Sequence, residues 1–156
     1  MKKLIMALAA TAALCFGLAS CNNVQDVNVT NAEAVSKSYI YTVTGTVTNG
    51  GTATTVSGDN SYALLSVGQG VDTNYTTYSL SVSANDANKA TVSVSSVDNI
   101  SEYTFYKIND KFYAEIDDAM TDVTSRFTSG TPDSDTFTYA YTKDANNSVS
   151  LTFTKK

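Results

Sequence analysis

"SYIYTVTGTVT", residues 38–48, is the stretch whose reading decides the fold. Its odd positions carry Tyr39, Tyr41, Val43 and Val47, while Thr42, Thr44, Thr46 and Thr48 fill the even ones. Successive side chains of a strand point to opposite faces, so this period of two sets aromatic and β-branched residues toward a core and threonines toward water. "NGG" at residues 49–51 then turns the chain. The same alternation returns in "TATTVS", "SYALLSV" and "NYTTYSLSVS", separated by "GDN" and "GQGVDT".

Three later hairpins allow register to be tested on paper. Pairing Val82 with Ala90 sets Leu80 opposite Val92 and Tyr78 opposite Val94, around a loop of turn formers from Ala84 to Asn88. In "EYTFYKI" and "KFYAEI", a two-residue turn at Asn109 and Asp110 pairs Ile108 with Lys111. It sets Tyr103, Phe105 and Lys107 opposite Ile116, Ala114 and Phe112, with Tyr106 against Tyr113 on the reverse face. That hairpin is apolar or aromatic on both sides, so a second contact surface is expected there. The last hairpin pairs Tyr141 with Val149, Tyr139 with Leu151 and Phe137 with Phe153. Between the last two hairpins, "DDAMTDVTSRF" carries Ala119, Met120, Val123 and Phe127 near helical spacing behind Asp117 or Asp118 as cap, so a short helix is expected near 117–127.

With no long helical stretch to carry parallel crossovers, the sum is an all-β antiparallel meander of about eight or nine strands. Such a sheet manages its edges by closing into a barrel or folding into a sandwich. It is similar to lipocalins in being an anchored meander of suitable length. It lacks their Gly-x-Trp signature, since the chain has no Trp, and its expected helix precedes the last two strands instead of following them.

The N-terminal run "MKKLIMALAATAALCFGLASC" has a different character. Lys2 and Lys3 form a cationic start, Leu4 to Phe16 an apolar core and Gly17 to Ser20 a segment of mostly small residues, the pattern of a secretory signal. It falls short of the roughly 20 apolar residues of a membrane span. Leu18-Ala19-Ser20-Cys21 resembles the lipobox of bacterial lipoproteins. The resemblance implies cleavage between Ser20 and Cys21, acylation of Cys21, and stable membrane attachment through two or more acyl chains. It divides the chain into a signal peptide at 1–20, a polar tether at 21–37, with a short helix through "NAEAVSK" as a spacer detail, and one β domain at 38–156. Asn22 after the anchor leans toward the outer membrane of the cell envelope over the inner.

Removal of 20 of the 156 residues leaves 136, with 8 basic and 15 acidic side chains and a net charge of −7. That balance argues against nucleic acid and against docking on anionic headgroups. The whole chain has no His, and Cys21 is the sole thiol after cleavage. Ser-His-Asp and Cys-His catalysis lack their base, and zinc, copper and haem sites lack their usual ligands. No cofactor or metal is implied, and the chain reads as a non-enzyme. The acids Glu115, Asp117, Asp118 and Asp122 fit a helix N-terminus better than an acid and base pair or a calcium site.

The ten tyrosines offer apolar area with a polar tip. Tyr106 and Tyr113 are the leading contact residues, with Tyr139 and Tyr141 beside them. Two functions stay open. One is a membrane-anchored barrel or sandwich that binds a small apolar ligand or a glycan. The other is a surface lipoprotein that contacts proteins through an exposed aromatic patch, with a filled core.

Overall fold

The computed structural model describes residues 34–69, 75–100 and 102–156. Cys21, the leader and the tether up to residue 33 lie outside the described residues. Ten strands form one antiparallel sheet: β1 (Ala34–Asn49), β2 (Thr52–Val56), β3 (Tyr62–Gln69), β4 (Tyr75–Ser83), β5 (Thr104–Ile108), β6 (Lys111–Ile116), β7 (Ala119–Asp122), β8 (Phe127–Ser129), β9 (Thr136–Asp144) and β10 (Asn147–Lys155). One short helix, α1 (Ser95–Asp98), packs against β10, β9 and β1. The strands run in the order β7-β6-β5-β4-β3-β1-β10-β9-β8, with β2 also on β1, and the sheet curls into a half-barrel. This is the all-β meander expected from the period-two pattern, with ten strands in place of about eight or nine. β1 begins at Ala34, inside the stretch read as tether.

The 16-residue β1 organises the rest. One edge pairs with β3 up to Thr42 and with β2 from Gly45, while the other pairs with β10 from Tyr41 to Thr48. Gly45 stands where the partner changes, at φ +144°, and a Cβ there would lie 2.0 Å from the Ser150 carbonyl oxygen. Only glycine fits so close a backbone approach in a strand. Gly50 and Gly51, both at positive φ, form the two-residue turn into β2, where "NGG" placed one.

The β5–β6 and β9–β10 registers follow the side-chain alternation. Phe105 pairs with Ala114, Tyr106 with Tyr113, Lys107 with Phe112 and Ile108 with Lys111. Tyr141, Tyr139 and Phe137 pair with Val149, Leu151 and Phe153.

Two expectations are overturned. Residues 117–127 are not a helix: Asp117 and Asp118, at φ 50° and 61°, make a two-residue turn that pairs Ile116 with Ala119 and starts β7. Asp serves a left-handed turn as well as a helix cap, and four residues of edge strand beside β6 win over a solitary amphipathic turn. What helicity survives is a 3-10 turn at Thr124–Arg126, after which β8 begins at Phe127. The hairpin that would pair Val82 with Ala90 does not form either. β4 takes β5 as its neighbour instead, and only an isolated bridge joins Asn85 to Thr91. The Asp86 carboxylate accepts the N–H groups of Asn88 and Ala90, which closes the loop on itself.

The inner face of the half-barrel is filled. Tyr41, Val43, Leu65, Phe105, Phe137, Leu151 and Phe153 are buried there with Val97 and Ile100 from α1 and the chain after it. The sheet ends at β7 and β8, and the 3-10 turn bridges them. Phe127 sets its ring 5.1 Å from Phe105, 4.7 Å from Phe112 and 5.6 Å from Tyr139, centroid to centroid. Ring contacts therefore close the seam that hydrogen bonds leave open.

Candidate functional site

Two features stand apart from the regular sheet, and the same dip in the chain makes both. After β4, residues 84–92 fold back, and residues 93–100 then turn into the half-barrel, carrying α1 with them; Glu102 and Tyr103 lead into β5. Val94, Val97, Ile100 and Tyr103 are buried by this dip. Asn99 and Tyr103, at positive φ, mark the bends.

The first feature is a buried carboxylate. Asp98, at the end of α1, is 2 % exposed. Its Oδ1 accepts the Ile100 N–H at 3.1 Å, and its Oδ2 accepts the hydroxyls of Tyr103 and, at 3.2 Å, Tyr139. Arg126 Nη1 donates to the Tyr139 hydroxyl at 3.1 Å and the guanidinium lies 4.0 Å over the Tyr141 ring. Burial pushes the Asp98 carboxyl above its ordinary range; the donors of Tyr103, Ile100 and Tyr139 and the charge of Arg126 pull against that without cancelling it. Burial, then the Asp98 charge, likewise raises both tyrosines. The arrangement ties α1 to Tyr103 just before β5, to β9 and to Arg126 at the seam.

The second feature is an open notch of about 620 Å³ at the edge of β4. Ser79, Leu80, Ser81 and Val82 form one wall, Val92, Ser93, Val94 and Ser95 the other, and Tyr103 joins the lining beside Glu102 and Thr104. The β4–β5 register stops at Ser79 and Thr104, with one further bond from Leu80 N–H to the Tyr103 carbonyl. The next bond along that edge runs from Val92 N–H to the Ala84 carbonyl. Backbone groups alternate sides along a strand, so Val82 presents its N–H and C=O to the same side as Leu80 and Ala84. Among the described residues no strand lies opposite it. Leu64, which also lines the notch, is 42 % exposed; outside the notch Ile40 and Tyr62 are 51 % and 53 % exposed, and Ile40 pairs with Leu64. The three are the exposed large apolar residues among those described.

The tyrosines singled out from sequence occupy other places. Tyr106 and Tyr113 are each 4 % exposed, in a small cluster with Tyr75 and Ile108 on the outer face of the sheet. Tyr139 is buried against Asp98, and Tyr141 is half-buried under Arg126. Cys21 lies outside the described residues. Asp117 and Asp118 shape the β6–β7 turn, and Asp122 pairs with Lys111 at 3.1 Å. Among the described residues no three acids or other metal-ligating side chains gather. Sequence reasoning placed Val82 and Tyr103 in hairpin registers without singling them out as site residues, and passed over Asp98, Arg126 and Glu102. The signal for Asp98 was an acid between Val97 and Ile100, both apolar, five residues before a tyrosine.

Comparison with known protein families, with characterised proteins and with solved structures yields no match.

Proposed function

We propose that this chain is a cell-envelope lipoprotein, held in the membrane by acyl chains on Cys21, whose β domain recognises a partner at its outer surface and performs no catalysis. The observation that carries this reading is the packed interior among the described residues: the tyrosines and phenylalanines of the inner face pack ring against ring, and α1 buries Val97 and Asp98 against them. A ligand held inside, as in a lipocalin, would displace those rings. A recess does exist outside, in the notch beside Val82, lined in part by Leu64 and with Ile40 and Tyr62 next to it. A pair of exposed apolar residues on neighbouring strands suits recognition of a partner. This moves the contact surface away from Tyr106 and Tyr113.

The lipobox Leu18-Ala19-Ser20-Cys21 supports the anchor, and Asn22 supports the outer membrane as its place. The tether would set the acidic domain off the membrane, free to face another molecule. A photo-crosslinking residue tests the reading in living bacteria. Placed at Leu64 it should give a discrete crosslinked species, and placed at exposed Lys143 it should give none. Equal crosslinking from both positions, or from neither, would refute it.

A further inference from the structure

We infer that the notch beside Val82 binds a short peptide in extended conformation, one residue of which completes the edge of β4. This inference rests on the outer-surface reading above and names the class of partner. The first argument is hydrogen-bond complementarity. Val82 offers one N–H donor and one C=O acceptor to the notch, between the Leu80–Tyr103 and Ala84–Val92 bonds. An extended residue of another chain presents a matching C=O and N–H at strand spacing, the mode by which peptides add to sheet edges. The acetamide of a sugar points its N–H and C=O in opposite directions and meets only one of the two. Because the edge is closed above and below, the gap takes a single residue, with the peptide rising out of the notch on either side.

The second argument is charge. Among the described residues Glu102 is the only ionisable acid in the lining, which holds no Lys or Arg, and the chain is acidic overall. A lysine or arginine beside the paired residue would meet Glu102, whereas an acidic peptide would be repelled. The hydroxyls of Ser81, Ser93 and Ser95 and the apolar side chains of Leu64 and Val92 give the flanks a mixed character. That mixture suits a peptide of alternating polar and β-branched residues.

The test selects a displayed library of random heptapeptides on the full wild-type chain, in detergent. Counter-selection uses Ser93→Tyr, which fills the notch from an exposed position. Enriched peptides should carry Lys or Arg, lose binding to Ser93→Tyr, and slow amide exchange at Val82 by about tenfold or more. Glu102→Lys should shift the enriched set to acidic residues, which keeps the inference falsifiable if Ser93→Tyr folds poorly. Recovery of no notch-dependent peptide, or binding that leaves Val82 exchange unchanged, overturns the inference. Titration with chitotetraose is the parallel arm. Val82 protection by the saccharide and not by peptides overturns the peptide class while leaving outer-surface recognition intact. Loss of the Leu64 crosslink with peptide binding retained strikes the functional reading alone.

Discussion

Replacement of Asp98 tests the physical account of the buried cluster most fully. Asp98→Ala leaves three donors in the interior without an acceptor: the Ile100 N–H and the hydroxyls of Tyr103 and Tyr139. Each buried polar group left unsatisfied costs about 1–3 kcal/mol, partly offset because a desolvated carboxylate has gone, so a net loss of about 3 kcal/mol is expected at neutral pH. Asp98→Asn keeps the shape and an acceptor, and its amide donates where the hydroxyls did, so its loss should be nearer about 1 kcal/mol.

The pH dependence of that second variant carries the sharper test. The folded carboxyl titrates above its unfolded value of 3.8, so the fold favours the protonated form. Wild type therefore keeps the benefit of protonated Asp98 below that value and loses it as pH rises through the raised one, by about 1.4 kcal/mol for every tenfold difference in proton affinity between the folded and unfolded chains. Asparagine does not titrate. The deficit of Asp98→Asn relative to wild type should thus be largest near about pH 3.5 and shrink toward about pH 7. Urea unfolding of both proteins at the two pH values measures it, and the difference cancels the other carboxylates. A deficit that grows with pH would mean that Arg126 and the hydroxyl donors outweigh burial, and would refute the reasoning.

Other perturbations read other parts of the fold. Gly45→Ala places a Cβ 2.0 Å from the Ser150 carbonyl, which forces β1 and β10 apart; a loss of about 3 kcal/mol or more, or failure to fold, is expected by thermal unfolding. Phe127→Ala removes the ring that bridges β5, β6 and β9 across the seam. Its partial exposure keeps the expected loss at about 2–3 kcal/mol in urea titration, with faster amide exchange in β7 and β8. Arg126→Met keeps the apolar stem but removes the charge, and should raise the Asp98 carboxyl further, seen by carbon-13 titration of that side chain. Cys21→Ala should abolish labelling by an alkynyl fatty acid and release the protein from membranes; unchanged partitioning would contradict the anchor.

What was legible followed from local rules. Period-two patterning gave most of the strands, and in the β5–β6 and β9–β10 hairpins alternation fixed the pairing, as with Ile108 and Lys111. The same rules misread the Asp117-Asp118 pair, because a carboxylate that caps a helix also tolerates positive φ, and only the pairing of β6 with β7 decides between them. The hairpin drawn from Val82 to Ala90 failed for a non-local reason. β5 competes for the edge of β4, and the chain between them gains more by burying Val97 and Ile100 in the half-barrel. The notch and the Asp98 cluster both descend from that choice, so no spacing rule exposes them. Asp98 and Tyr139 lie 41 residues apart and meet only when β9 closes over α1.

Peptide binding in the notch, the occupant inferred for the outer surface, depends on an unoccupied edge at Val82, and site-resolved amide hydrogen exchange of the free protein tests that edge directly. Val82 should exchange at close to the rate of an exposed amide, while Leu80 and Val92 on either side, bonded to Tyr103 and Ala84, are protected by about a hundredfold or more. Protection of Val82 equal to that of Leu80 would show the edge already paired, and would contradict the account.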